Sequence, residues 1–343
     1  MTPSGTIDRH TRCLPAGAGE AAAAVHAAVT EAARVLQAGG LVAFPTETVY
    51  GLGADAGNPL AVAQVYAAKG RPAFNPLISH VPDLDAAVRL GTFSDAALRL
   101  ARAFWPGPLT LVVPCRDTGA VCDLARAGLD TVALRVPAHS VARAFLAAAG
   151  RPVVGPSANR SGHVSPTLAA HVDADLNGRI DVILDAGPTP VGVESTIVDC
   201  SGEHPALLRP GGIARADIER VLGHDLPDAA HEAAERPVAP GRLASHYAPR
   251  APVRLEAGHV APGEALLTFA GARPPGSAEA GLVLDLSPAG SLVEAAANLY
   301  GALRDLDARG VPAIAVVPLP REGLGEAIAD RLGRAAAPRP PVP

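Results

Sequence analysis

The sequence predicts an α/β protein built on a mixed β-sheet, followed by a smaller βα unit. Apolar helical stretches alternate with short buried extended runs through the first two-thirds of the chain. Several extended runs follow one another with no helix between them, which a purely parallel sheet does not allow. At 343 residues and 48% hydrophobic content the chain exceeds the usual size of one core. A proline-punctuated stretch from Gly223 to Arg250 divides it, with breaks at Pro227, Pro237, Pro240 and Pro249.

Taken in order, residues 1–20 are small and polar and are expected to form a flexible tail. Ala21 to Ala38 reads as a helix with an apolar stripe of Val25, Val29, Val35 and Leu36, stopped by Gly39-Gly40. A short buried strand, 41–44, ends at Pro45. Pro59 to Ala68, Ser94 to Phe104 and Val141 to Ala149 read as helices. Extended runs are expected at 77–80, 109–113, 131–136, 181–184, 195–198 and 206–208. Beyond the break, 265–269, 281–286 and 313–317 are strand-like, and a helix runs from Leu292 to Ala308. Ser291-x-x-Glu294 opens that helix as a capping box. The organisation expected is therefore a tail (1–20), a larger N-terminal domain (21–222), a linker (223–250), a small α/β domain (251–334) and a disordered proline-rich tail (335–343).

Composition excludes several classes. A net charge of −5 and a pI near 6.1 argue against bulk affinity for nucleic-acid phosphate. The four cysteines, Cys13, Cys115, Cys122 and Cys200, form no C-x-x-C pair or zinc-ligand spacing and read as reduced thiols. No apolar run reaches the ~20 residues of a membrane span, and the N-terminus lacks an apolar signal core. A cytoplasmic protein with no membrane partner is expected.

Only one lysine occurs among 29 basic residues, Lys69, in the run Lys69-Gly70-Arg71-Pro72-Ala73-Phe74-Asn75-Pro76. A position that resists so general a preference for arginine needs a compact ammonium, the group that meets phosphate as a point charge. Lys69 and Arg71 alternate at a helix end, an arrangement that in extended chain aims both charges the same way. Pro45-Thr46-Glu47-Thr48-Val49-Tyr50-Gly51-Leu52-Gly53 follows a buried strand, placing hydroxyls, a carboxylate and glycines where a small polar ligand can approach backbone. Gly51-x-Gly53-x-x-Ala56 does not open a βαβ unit, so it is not a dinucleotide fingerprint. No Walker-type G-x-x-x-x-G-K-[ST] exists. Trp105 reads as a packing corner. Thr131 and Arg135 flank a short strand, and an arginine so placed pairs with a carboxylate, either a ligand's or a structural one. Ser157 has no nucleophile-elbow setting. No segment is specific alone; together they assemble hydroxyls, amides and cations with no metal-ligand cluster.

Seven ordered runs, PTETVYGLG, KGRPAFNPLISH, WPGPLT, TVALRVPAH, GPSANRSGHVSPT, GVESTI and LLRPGG, resemble the YrdC-like domain of threonylcarbamoyl-adenylate synthases. The later run with Ser245-His246-Tyr247-Ala248-Pro249 and the small domain after it are similar to the longer two-domain form of that family, whose linker folds back over the active site. The resemblance implies a YrdC-like twisted mixed sheet with flanking helices, and a small Rossmann-like C-terminal domain. It implies formation of threonylcarbamoyl-AMP and pyrophosphate from L-threonine, ATP and bicarbonate or CO2, for threonylcarbamoyladenosine at position 37 of tRNA. By motif, Thr48, His80, Arg135, Gly155 and Ser195 would hold L-threonine. Arg71, Asn75, Thr131, Ser157, Ser165, Arg209 and Tyr247 would hold ATP, with Lys69 beside the phosphates, and Lys69 and Arg71 acting as the catalytic cations. Either Tyr247 or its neighbour His246 would close the nucleotide site. Mg2+ would enter with ATP rather than in a protein cage. Downstream tRNA threonylcarbamoyltransferase proteins would take the product, with no tRNA binding required of this chain. Two other readings stand beside this one: a carbamoyl-adenylate-forming carbamoyltransferase, although the cysteine-rich zinc fingers of such proteins are missing here, and a non-enzymatic double-stranded-RNA-binding module, which the net charge disfavours.

Overall fold

The computed structural model describes residues 9–72, 75–229 and 246–338. Ten strands form the main sheet: β1 (Arg12–Pro15), β2 (Val42–Phe44), β3 (Gly51–Asp55), β4 (Ile78–His80), β5 (Leu109–Pro114), β6 (Thr131–Arg135), β7 (Val153–Val154), β8 (Val182–Asp185), β9 (Thr196–Asp199) and β10 (Ala206–Arg209). Their spatial order is β1-β8-β2-β3-β7-β4-β6-β5-β9-β10. Parallel pairs such as β4 with β6 and β5 with β9 sit beside antiparallel ones such as β2 with β3 and β9 with β10, so the sheet is mixed, as expected.

The period of two along each strand decides which layer each side chain enters. Val42 and Phe44 of β2, with Val182 and Leu184 of β8, pack on one face. There they meet Val29, Leu36, Phe145 and Leu146 of α1 (Ala22–Gln37) and α6 (Ser140–Ala149), the helices that lead into β2 and β7. Ala43 and Ile183, one residue out of step, face the larger core on the other side. That core takes Val62 and Val65 of α2 (Pro59–Lys69), Leu100 of α4 (Asp95–Phe104), Val172 of α7 (Ala169–Leu176) and Ile218 of α8 (Arg215–Leu222). Two shorter helices, α3 (Leu84–Leu90) and α5 (Asp123–Arg126), complete this layer. Over strands β4, β6, β5, β9 and β10 the first face is not covered by α1 and α6. It carries only a small apolar cluster of Ile78, Val112, Ala133, Ile197 and Leu208.

The C-terminal unit is a four-stranded parallel sheet of β11 (Val253–Arg254), β12 (Ala265–Thr268), β13 (Leu282–Asp285) and β14 (Ile314–Val316), ordered β11-β14-β12-β13. It is covered by α9 (Leu292–Ala308) and α10 (Leu324–Ala336). Ser291 caps α9, accepting from the Glu294 N–H, but the Glu294 carboxylate does not return to Ser291. It accepts instead from the Ser287 hydroxyl, which in turn receives the Ser291 N–H, so the expected box closes through a relay.

Three expectations are corrected here. Within the segment expected as a flexible tail, Arg12–Pro15 is an edge strand in parallel register with β8. The chain does not loosen at Ala335, because α10 runs through Ala336. Lys69 and Arg71 are not flanking positions of an extended chain: Lys69 ends α2 and Gly70 caps it in the left-handed region, φ 63°, so extended-chain alternation does not aim the two charges. The expected linker overlaps residues 230–245, which lie outside the described residues, as do Ala73 and Phe74.

Candidate active site

The uncovered face of the sheet is where strand parity brings the polar residues together. Ile78 and His80, then Thr131, Ala133 and Arg135, occupy alternate positions of two parallel neighbours, with His80 in register with Arg135. Thr131 and Arg135 lie at opposite ends of β6, about 13 Å apart at strand rise. A narrow cleft above them is lined by Arg71, His80, Arg135, Ser157, Ser195, Arg209, His246 and Tyr247, among others.

At one end, Arg135 donates from Nη2 to Thr48 Oγ1 at 2.9 Å and pairs with Glu47 Oε1 at 2.9 Å. The carboxylate that the sequence left open is therefore Glu47, in the same turn as Thr48. That turn is stitched by Thr46, whose hydroxyl donates to Val49 O at 2.6 Å and meets Thr48 Oγ1 at 2.8 Å. His80 is buried, and burial, followed by the charge of Arg135, pulls its pKa down to about 3. It is a neutral ring whose Nδ1 has no partner among the described residues. Ser195 Oγ shares a 2.7 Å hydrogen bond with Thr110 Oγ1.

At the other end Arg71 and Arg209 are both buried. Arg71 donates to Pro76 O at 3.2 Å, and its Nε has no partner among the described residues. Burial, with repulsion from Arg209, lowers its pKa to about 10. Arg209 holds Ser195 O through Nη2 at 2.9 Å and Nε at 3.2 Å. Asn75 lies beside Arg71, fully buried, with both side-chain polar atoms unpartnered among the described residues.

Lys69 stands one layer behind. Its ammonium donates to Ser157 O at 2.5 Å and to Asn159 O at 2.6 Å, so it fixes the Gly155–Asn159 loop that lines the cleft. Burial, and Arg71 nearby, push its pKa well below the usual lysine value. Ser165 also faces inward only indirectly, donating to Glu194 Oε1 at 2.6 Å. Trp105 is a packing corner, its Nε1 donating to Leu109 O at 2.7 Å and its ring edge-on to Phe93. Of the expected linker, residues 246–250 are described beyond the undescribed stretch. Tyr247, at φ 60°, lies stacked on Tyr300 with ring centroids 5.6 Å apart, and His246 packs against it.

Several participants escaped the sequence reading: Glu194, Thr110, Tyr300 and Arg331, and Glu47 in its role as the partner of Arg135. One signal was available. Arg331 interrupts the apolar stripe of α10, Ala327, Ile328, Leu332 and Ala335, on the face turned to the core.

Among the described residues no cluster of three or more His, Cys, Asp or Glu is arranged to hold a metal, and no helix is long and apolar enough to cross a membrane. The geometry defines a class: an α/β domain whose open sheet face carries a polar cleft lined by the buried guanidiniums of Arg71, Arg135 and Arg209. Comparison with known proteins narrows it. Residues 34–211 match the family described as telomere recombination, and residues 213–337 match the threonylcarbamoyl-AMP synthase C-terminal domain. A threonylcarbamoyl-AMP synthase of Bacillus subtilis is 42% identical over 324 residues, covering 91% of this chain and 93% of the relative. One of Pyrococcus abyssi is 41% identical over 319 residues, covering 89% and 93%. The crystal structure of P. abyssi Sua5 complexed with L-threonine superposes with a TM-score of 0.84 at 36% identity, covering 95% of this chain and 97% of that one. The chain belongs to the threonylcarbamoyl-AMP synthase family, in its two-domain form.

Proposed function

We propose that this chain is an L-threonylcarbamoyladenylate synthase, converting L-threonine, ATP and bicarbonate or CO2 to threonylcarbamoyl-AMP and pyrophosphate. The observation that carries the reading is the pairing of two buried guanidiniums, Arg71 and Arg209, with Arg135 and a neutral His80 in one cleft. A guanidinium held where burial lowers its pKa to about 10 is stabilised by an anion entering beside it. The relatives of the same length carry the matching name.

In this reading the threonine amine nitrogen bonds to the carbon of CO2 with loss of a proton to solvent, or of bicarbonate with loss of water, to give a carbamate. A carbamate oxygen then bonds to the α-phosphorus of ATP as the bond from that phosphorus to the β-bridging oxygen breaks, and pyrophosphate leaves. No protein nucleophile takes part. The protein supplies position and charge, which account for most of the catalysis in such transfers. Arg135 and His80, with Thr48, Gly155 and Ser195, hold threonine at the C-terminal ends of β4 and β6. Arg71, Asn75, Thr131, Ser157 and Arg209 hold ATP towards the opposite end of those strands, with Ser165 acting through Glu194. Lys69 locks the loop that presents Ser157, and its charge lies behind the leaving phosphates. His246 and Tyr247 cover the nucleotide.

Mg2+ arrives as part of the Mg–ATP substrate. The carboxylates nearest the cleft, Glu47 and Glu194, are engaged by Arg135 and Arg331, which fits a metal carried by phosphate oxygens rather than by protein. The product, a mixed anhydride, passes to a tRNA threonylcarbamoyltransferase that modifies adenosine 37, and an ATP-fed step of this kind belongs in the cytoplasm.

The test is pyrophosphate release from ATP with threonine and bicarbonate omitted in turn. Dependence on both supports the proposal. Release that depends on carbamoyl phosphate instead, or salt-sensitive RNA binding with no turnover, overturns it in favour of a carbamoyltransferase or an RNA-binding module.

A further inference from the structure

The pair Ser195–Arg209 is bracketed from both sides by one residue of the C-terminal domain. Arg331 of α10 is fully buried; its Nε donates to Glu194 Oε2 at 2.7 Å and its Nη2 to Pro210 O at 3.0 Å. Glu194 precedes Ser195, and Pro210 follows Arg209. The same guanidinium lies 5.2 Å from the centre of the Tyr247 ring. Tyr300 of α9 donates to Glu194 Oε2 at 2.8 Å, and Ser165 donates to Oε1 at 2.6 Å. The backbone is equally tight. A Cβ on Gly192 would stand 2.4 Å from Ala296 O, and one on Gly211 would stand 2.4 Å from Glu194 O. The 192–196 turn is thus pressed against α9 on one side and the 209–212 loop on the other.

We propose that Arg331, assisted by Tyr300, is a positioning residue for the nucleotide half of the active site, acting from the C-terminal domain through Glu194, Pro210 and Tyr247. Docking alone does not require a charge here, since replacing a buried ion pair by apolar residues is often neutral or stabilising. A planar fork reaching an acid and a carbonyl on two separate loops fixes their spacing, which an apolar contact does not. The small domain therefore does more than anchor the linker: it sets where Arg209 and Tyr247 stand.

The inference rests on the reading of Arg209 and Tyr247 as nucleotide contacts. Five groups face the Glu194 carboxylate and share its titration: Arg209 of β10, His246 and Tyr247 of the linker segment, Tyr300 of α9 and Arg331 of α10. Despite burial its pKa is held down to about 2, with Arg331 the largest lowering influence.

Steady-state pyrophosphate release on the full-length chain tests the proposal, using Arg331→Met, Arg331→Lys, Tyr300→Phe and the double variant Arg331→Met/Glu194→Gln. Arg331→Met raises the KM for ATP at least tenfold, while the KM for threonine moves less than threefold. Its kcat/KM for ATP gains an acid limb absent from the wild type, as Glu194 loses the largest influence holding its pKa down and protonates at higher pH. The double variant lacks that limb, and Arg331→Lys removes it without restoring the full ATP affinity. Unchanged ATP KM and pH profile with only a lowered Tm overturns the proposal. If Arg331→Met does not fold, Tyr300→Phe decides: a threefold or greater rise in ATP KM supports the role, and an unchanged value overturns it. A wild-type chain that releases no pyrophosphate fails the functional reading instead, a separate result.

Discussion

Gly155 and His80 stand so close that a methyl group on the glycine would lie 2.7 Å from His80 Nδ1 and 2.8 Å from its Cε1. Phe44 packs edge-on against the imidazole at 5.5 Å between ring centroids, and the same methyl group would meet the Phe44 Cζ at 3.0 Å. The glycine in the Gly155–Asn159 loop is thus required by a contact, since its backbone is not in the left-handed region.

Gly155→Ala should displace the His80 ring rather than unfold the sheet. The expected result is at least a tenfold weaker binding of L-threonine by calorimetry, with a Tm drop of only a few degrees. Unaltered threonine affinity in a folded variant would detach His80 from that site.

Lys69→Ala should lower turnover by two or more orders of magnitude, the scale on which removal of a single charge-stabilising donor acts. The structure adds a finer expectation. The ammonium ties Ser157 O and Asn159 O together from a buried position, and a larger planar guanidinium does not reproduce a compact ammonium's geometry, so Lys69→Arg should be nearly as impaired as Lys69→Ala. Near-normal rates in either variant, measured by pyrophosphate release, contradict both roles.

Glu47→Gln leaves the buried Arg135 without its acid. Breaking such a pair costs about 3–5 kcal/mol. Saturating L-threonine should recover part of the lost Tm, because its carboxylate can replace Glu47 against the guanidinium, and the ligand-induced shift should exceed that of the wild type. Equal shifts in the two proteins would separate Arg135 from the substrate carboxylate.

Stability should fall as pH drops below 6.5. His80 and His246 are fully buried, and burial takes each to a pKa of about 3 from an ordinary 6.5. Between those values the unfolded chain binds protons that the folded chain refuses, so stability rises with pH across the window and is lost on acidification. The effect is about 1.4 kcal/mol per histidine per pH unit. Glu194, held down to about 2, acts in the same direction once the pH passes below its ordinary 4.5. Urea midpoints at pH 7.5, 6 and 5 check this; a flat profile would mean that the two rings are solvated. Neutral His80 should also leave no inflection of its own in the rate profile between pH 5 and 8.

Much of the fold was legible because it rests on local pattern. Leu292 to Ala308 and Thr131 to Arg135 emerge where hydrophobic period and stop signals place them. Arg12–Pro15 was not legible, since an edge strand has little pattern of its own and is stabilised by β8, which arrives far later in the chain. The left-handed turn at Gly70 was hidden for a related reason: a glycine permits that conformation without announcing it. Arg135 called for a carboxylate but could not name it. Glu47 and Thr48 supply its partners only when β2 and β6 come into one sheet.

The ordered motifs and the alternation of helix and strand determined by themselves what kind of protein this is, and which residues could touch an anion and an amino acid. Both follow from side-chain chemistry and from periods of two and 3.6, which are properties of short segments. Tertiary structure decided the placements within that set, Lys69 behind the loop, Arg71 in the cleft and Arg135 answered by Glu47, and it added Arg331, reaching in from another domain. Those pairings depend on distances between segments far apart in the chain, and only a packed core sets such distances.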